Sequence, residues 1–210
     1  MKPRIRVKIC GITREEDALA AAQCGADAIG LVFYPPSARH VSVSQARQIA
    51  AQVPPFVTVV GLFLDATEEA IRAVLEEVPL DMLQFHGRET AAECDRWGYR
   101  YLKSVPMKDQ PDLHDFMLRY PNAAGFLLDT VSAGEAGGSG QVFAWQALPT
   151  NLTHPTILAG GLTPENVSSA MTQTNCYAVD VSSGVEDGKG IKSLKKIRAF
   201  MTEVRAYESH

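Results

Sequence analysis

Two residues in this chain have the side chains that proton-transfer chemistry needs, and each stands at the end of a short apolar run. Cys10 closes Lys8-Ile9-Cys10, and Asp129 closes Leu127-Leu128-Asp129. A cysteine can act as a base when positive charge or helix N-termini draw its thiol toward the thiolate. Lys8 shares the face of Cys10 on an extended strand, where it needs either open solvent or a partner. The plainer role for Cys10 is packing. An Asp at the end of an apolar strand needs polar company, or else caps the following loop. Arg39 follows a Pro-rich stretch, Tyr34-Pro35-Pro36-Ser37-Ala38. Its two-pronged guanidinium suits a carboxylate, and a solvated surface position is the equal alternative. His86, in Gln84-Phe85-His86-Gly87, reads as a rim residue that touches a ligand or bonds the backbone. Gly160-Gly161 and Ser182-Ser183-Gly184 form turns whose backbone N–H groups can come close to an anion.

These residues need elements to hold them. Eight runs rich in Val, Ile, Leu and Phe occupy 4–9, 26–34, 56–64, 82–86, 101–105, 124–129, 156–159 and 177–181. Several are apolar on both faces, as parallel strands covered on both sides are. Helical stretches lie between them. Thr13, with Glu16 three residues on, reads as a capping box for a helix that Gly25 stops. Ser42 and Thr67 open the next two helices, and 89–97 and 111–119 follow. Thr163 with Pro164 opens another, and 191–206 forms a last helix. The connection 130–155 is long and Gly-rich, with room for a short helix near 145–148. Eight β-α units without a linker predict one α/β domain over 1–210, a (β/α)8 TIM barrel. An open doubly wound sheet is the rival. In a barrel, active sites lie at the C-terminal strand ends, and a phosphate site recurs after strands 7 and 8. The residues singled out above occupy those positions.

Composition narrows the function. With 20 Lys and Arg against 24 Asp and Glu, the net charge is −4, against a nucleic-acid partner. At 46% hydrophobic and 21% charged, the chain is neither disordered nor low in complexity. No membrane span or signal segment is apparent, so a cytoplasmic protein is expected. Cys10, Cys24, Cys94 and Cys176 are far apart, and His40, His114, His154 and His210 lack metal-ligand spacing; neither zinc nor disulfides are expected. Trp97 and Trp145 read as packing residues. The Gly-Gly-Ser-Gly at 137–140 is not a serine-nucleophile elbow and reads as a lid hinge.

Taken together, VKICGIT, FYPPSARHVS, QFHG, LLDT, GGSG, LAGGLTPENV and VDVSSGVE, in this order and at these spacings, resemble the phosphoribosylanthranilate isomerases of tryptophan biosynthesis. The likeness runs from Val7 to the final helix. It implies a single-domain barrel without metal or organic cofactor. It implies an Amadori rearrangement of N-(5-phosphoribosyl)anthranilate to an open-chain deoxyribulose phosphate. By the same resemblance Cys10 is the general base, a thiolate whose pKa nearby positive charge lowers. Asp129 is the general acid, kept partly neutral by its apolar strand end. Arg39 binds the anthranilate carboxylate, and His86 also belongs to the substrate site. Gly160, Gly161, Ser182, Ser183 and Gly184 bind phosphate, and Asp180 lies near the ribose hydroxyls. The small-molecule substrate is the expected partner, and members are monomers or homodimers. Gln141 stands where the family often has Lys, Arg or Thr, a departure expected to alter loop contacts only. Two alternatives compete. The sister isomerase of histidine biosynthesis uses Asp as base and shows a half-barrel repeat, whereas this chain has Cys10 and no such repeat. A non-catalytic phosphosugar-binding barrel could lose the acid or the base, and both are present here.

Overall fold

In the computed structural model, which describes residues 4–109, 111–129, 149 and 152–209, eight parallel strands close into a barrel in sequence order. They are β1 Arg6–Cys10, β2 Ala28–Val32, β3 Thr58–Phe63, β4 Met82–Phe85, β5 Tyr101–Pro106, β6 Gly125–Asp129, β7 Thr156–Leu158 and β8 Ala178–Val181. Each of the eight apolar runs holds one strand. Closure comes from β1 pairing with β8, with Lys8 opposite Asp180, and this excludes the open sheet.

The alternation of side chains along each strand makes two cores. One face packs outward under the helices, through residues such as Ile9, Leu31, Leu83, Phe126 and Val179. The other fills the barrel. Leu102, Leu127, Ile157, Ala159 and Ala178 form one interior layer. Cys10, Val32 and Leu62 form another, beneath Tyr34.

The helices are α1 Glu15–Cys24, α2 Val43–Gln52, α3 Glu68–Glu77, α4 Ala91–Asp95, α5 Leu113–Leu118, α6 Val167–Thr174 and α7 Leu194–Ser209. Ser42 and Thr67 cap α2 and α3 as expected, each accepting from a backbone N–H three residues on. Other starts differ from expectation. Thr13 does not cap α1, whose N-cap is Arg14; the Thr13 hydroxyl donates instead to the Gly190 carbonyl. A tertiary bond has outcompeted the local cap. The α4 helix starts after Thr90, which forms a capping box with Glu93, so Glu89 is freed to turn inward. The α6 helix starts at Val167, because Asn166 accepts from the Thr163 N–H at 2.8 Å and donates to the Gly161 carbonyl at 2.9 Å. Thr163-Pro164 thus belongs to the β7 loop.

Residues 191–192, expected as helix, form strand β10 (Ile191–Lys192) of an antiparallel ribbon with β9 (Glu186–Gly188). A single 3-10 turn, Ser183–Val185, joins β8 to that ribbon. The expected helix near 145–148, the 137–140 hinge, Trp145 and Gln141 lie outside the described residues. No helix among the described residues is long and apolar enough to cross a membrane.

Candidate active site

At the C-terminal ends of the strands lies a pocket. Cys10 enters it from β1, Asp129 from β6 and Asp180 from β8, with Arg39 and His86 on the loops after β2 and β4. Gly160, Gly161, Ser182 and Ser183 complete its rim after β7 and β8. Nine of the ten expected site residues therefore line one cavity. The tenth, Gly184, does not. A Cβ on it would lie 1.9 Å from the Leu162 carbonyl oxygen. Its missing side chain is what lets the β8 turn press against the β7 loop. Gly160 and Gly161 have φ of 81° and 64°, two successive left-handed residues that only glycine adopts without strain.

The base position is built by register. In parallel neighbours, Lys8 faces Asp180 across β1 and β8, and Cys10 faces Gly30 across β1 and β2. The Lys8 ammonium donates to Asp180 at 2.9 Å, the partner that a buried lysine requires. Gly30 makes room for the thiol. A Cβ there would stand 2.7 Å from the Cys10 Sγ and 3.2 Å from the Lys8 Cε.

The electrostatics correct one expectation. Burial pushes the Cys10 thiol above its ordinary pKa; Lys8 pulls the other way but does not prevail, and Asp180 adds to the rise. The pocket without substrate therefore favours the thiol over the thiolate. Lys8 behaves conversely. Burial works against its charge, but Asp180 and Cys10 outweigh burial and its pKa is raised.

Arg39 is neither a surface residue nor an unengaged fork. Its Nε and one terminal nitrogen each donate to Glu186, both at 2.8 Å. The hydrogen bonds to Glu186, opposed by desolvation, raise the Arg39 pKa. Glu186 also accepts from Lys192 at 2.7 Å. Burial disfavours the Glu186 charge, but Arg39 and Lys192 hold its pKa below the usual carboxylate range. Lys192 in turn contacts the Ser182 carbonyl at 3.2 Å, so a buried ammonium lies behind the β8 turn. Burial draws the Lys192 pKa down. Glu186 and Lys192 were missed in the sequence because 191–206 reads there as one helix. Two opposite charges six residues apart meet only once that segment folds into a ribbon.

On the opposite side, His86 Nε2 lies 3.3 Å from Asp129 Oδ2. Its other ring nitrogen faces Gln84. The wall after β2 and β3 is apolar, from Val32, Tyr34, Leu62 and Leu64. The pocket therefore has a charged, glycine-lined side at β7, β8 and β1, and an apolar wall beside Arg39. It can hold an anionic group at one end and a flat apolar group bearing a carboxylate at the other. A carboxyl and a thiol stand between them. Among the described residues no three His, Cys, Asp or Glu side chains group as a metal site.

The model of the family described as N-(5'phosphoribosyl)anthranilate (PRA) isomerase matches residues 7–203. The chain is similar to the N-(5'-phosphoribosyl)anthranilate isomerase of Pseudomonas fluorescens, 55% identical over 203 residues and 97% of each chain. It is 53% identical to that of Pseudomonas aeruginosa over 204 residues, again 97% of each. Among solved structures, it resembles phosphoribosyl anthranilate isomerase from Thermotoga maritima, with a TM-score of 0.85 and 40% identity over 96% of this chain and 99% of that one. It also resembles a phosphoribosyl anthranilate isomerase in complex with reduced 1-(o-carboxyphenylamino)-1-deoxyribulose 5-phosphate, with a TM-score of 0.80 and 36% identity over 96% and 99% of the two chains.

Proposed function

The chain belongs to the N-(5'-phosphoribosyl)anthranilate isomerase family, an isomerase family of tryptophan biosynthesis, and we propose that it runs its Amadori rearrangement with Asp129 as general acid and Cys10 as general base. The observation that carries this reading is that Cys10 and Asp129 line one pocket from β1 and β6.

The steps follow from the groups present. Asp129 gives a proton to the furanose ring oxygen as the bond from that oxygen to C1 breaks, its electron pair staying on oxygen. The anilino nitrogen lone pair forms the C1=N bond, leaving a protonated imine. That cation acidifies the proton on C2. Cys10, as thiolate, removes it; the C–H pair becomes C1=C2 and the imine pair returns to nitrogen. The enolamine takes a proton at C1, returned by Cys10, as its C2 hydroxyl gives one up to the Asp129 carboxylate; this yields the ketone and restores the thiolate and the carboxylic acid. General acid–base help of this kind is typically worth about 10²–10⁴ in rate. The raised Cys10 pKa suits this order of events. A buried thiolate is a stronger base than an ordinary one, and the cation it faces once the ring has opened lies where its charge is needed, beside the C2 proton.

Phosphate binds at Gly160, Gly161, Ser182 and Ser183, with Gly184 packing that turn in place and Lys192 adding positive charge behind it. Arg39, held flat by Glu186, receives the anthranilate carboxylate, while the ring rests on Val32, Tyr34 and Leu62. Clamping both ends holds C1 and C2 between acid and base, which is catalysis by positioning. Asp180 serves the ribose hydroxyls from its Lys8 pair. The whole chain, 1–210, acts as one barrel domain, cytoplasmic and either monomeric or homodimeric. Four free, buried cysteines suit a reducing compartment.

The test is the loss of fluorescence of freshly made phosphoribosylanthranilate on addition of the protein. Turnover by the parent, with the histidine-pathway aminoaldose left unchanged, supports the reading. No turnover overturns it.

A further inference from the structure

Resting on the assignment of Asp129 as acid, we propose that Gln84 is a positioning residue: it fixes His86 as the Nε2–H tautomer, which then stabilises the carboxylate that Asp129 becomes.

Gln84 points into the barrel from β4 and is wholly buried, at 0% exposure. His86, two residues on, shares its face, and the backbone holds it there through its N–H to the Phe63 carbonyl at 2.8 Å. The Gln84 amide nitrogen stands 3.1 Å from His86 Nδ1. With the Gln84 amide in this orientation its nitrogen donates, and Nδ1 is the ring nitrogen that offers the lone pair. A neutral imidazole then carries its proton on Nε2. That nitrogen is the one beside Asp129, at 3.3 Å from Oδ2. The Gln84 donor and an ionised Asp129 therefore call for the same tautomer. The reverse tautomer would set N–H against N–H at Gln84 and two acceptors against each other once Asp129 is ionised.

The geometry suits a contact that matters only during reaction. In the resting pocket the Nε2–Oδ2 approach of 3.3 Å lacks the alignment of a hydrogen bond. When Asp129 passes its proton to the ring oxygen, negative charge appears on the carboxylate. A hydrogen bond to a charged acceptor is shorter and roughly twice as strong as a neutral one. An interaction that strengthens in the transition state accelerates the step, whereas one made equally throughout does not. By this account His86 serves Asp129, and substrate contact is secondary for it.

The test has two parts. Long-range ¹H–¹⁵N correlation spectra of histidine-labelled protein report the His86 tautomer without substrate. The Nε2–H form is expected in the parent, with a shift toward a mixture in Gln84→Met, which is similar in volume and has no donor. Finding His86 as Nδ1–H in the parent overturns the proposal, and this readout does not depend on any variant folding or on which substrate the enzyme uses. In turnover, Gln84→Met is expected to lose kcat by about tenfold to a hundredfold, below the loss for a directly contacting donor, with KM within about twofold. His86→Gln, which keeps an N–H where Nε2 stood, should retain more kcat than His86→Phe. Unchanged kcat in folded Gln84→Met, or equal losses in the two His86 variants, would also overturn it.

Discussion

Two lysines lie buried in barrel strands, each against a carboxylate: Lys8 on β1 with Asp180 at 2.9 Å, and Lys103 on β5 with Glu89 at 3.1 Å. What surrounds them differs. Lys8 faces the barrel interior, next to Cys10, and its partner Asp180 lines the pocket. Lys103 faces outward, beneath the β4 loop, and is 1% exposed. It also donates to the carbonyls of Phe85 and Gly87, while Glu89 accepts from the Gly87 and Asp65 backbone N–H groups. Tyr120 seals the cluster by donating to the Glu89 carbonyl. Every group around Lys103 is spent on holding the loop that follows β4. The Lys8 pair instead opens onto the cavity, and its lysine favours ionisation of the neighbouring Cys10 thiol. The same ion pair is a bolt on one face of the sheet and a tuning element on the other, and strand parity decides which.

The largest effect should come from the chemical groups themselves. Cys10→Ala and Asp129→Asn are each expected to lose about 10²–10⁴ in kcat while keeping the parent denaturation midpoint. Turnover within a few fold of the parent would remove that residue from its role. Next, Lys103→Met should cost about 3–5 kcal/mol in denaturant unfolding, since it strands a buried charge, with kcat of the folded fraction nearly unchanged. Lys8→Met should show the reverse balance, a smaller stability loss and a larger rate loss. If the two variants responded alike in both measurements, the distinction between the pairs would collapse.

Gly30→Ala should destabilise by about 1–3 kcal/mol through overpacking. It should also lower kcat by displacing the Cys10 thiol, because the new Cβ would meet Sγ at 2.7 Å. Unaltered kcat would mean that the thiol position is not critical. The smallest effect is in pH. A thiol pKa raised by burial leaves less thiolate in the free enzyme at neutral pH. The ratio kcat/KM should therefore keep rising with pH past the ordinary thiol value near ~8.5. Around the thiol, Lys8 and Lys192 favour ionisation and Asp180 opposes it, so in Lys8→Met the rise should move to higher pH. A plateau already reached at neutral pH would contradict the burial argument.

Much of this was open to reading in the chain. Eight apolar runs with helical spacers favour the barrel over the open sheet, and a barrel puts the site at its strand ends. Cys10, Asp129 and the Gly160-Gly161 turn follow from those two steps, while Asp180 and the role of each residue came from the resemblance. Hidden from view were contacts that need tertiary partners. Gln84 looked like one more strand residue, although a polar side chain two before His86 in an apolar run was the available signal. Glu186 and Lys192 depended on a ribbon that helical periodicity masked. The Thr13 hydroxyl obeyed a distant carbonyl over its local cap. Lys103 carried the same residue type as Lys8, and only its outward face separates the two.

The closed sheet also governs how copies of this chain can meet. An open sheet offers a row of unpaired backbone groups onto which another strand can add. Here β1 and β8 satisfy each other, so the barrel offers no such template. The β9–β10 ribbon, which has edges, keeps them occupied: Asp17 accepts the Lys192 N–H, and Lys196 donates to the Glu186 carbonyl. Among the described residues, association between folded copies is thereby left to side-chain surfaces, where it can be tuned by single substitutions, and strand-to-strand growth finds no barrel edge to start from while the barrel stays shut.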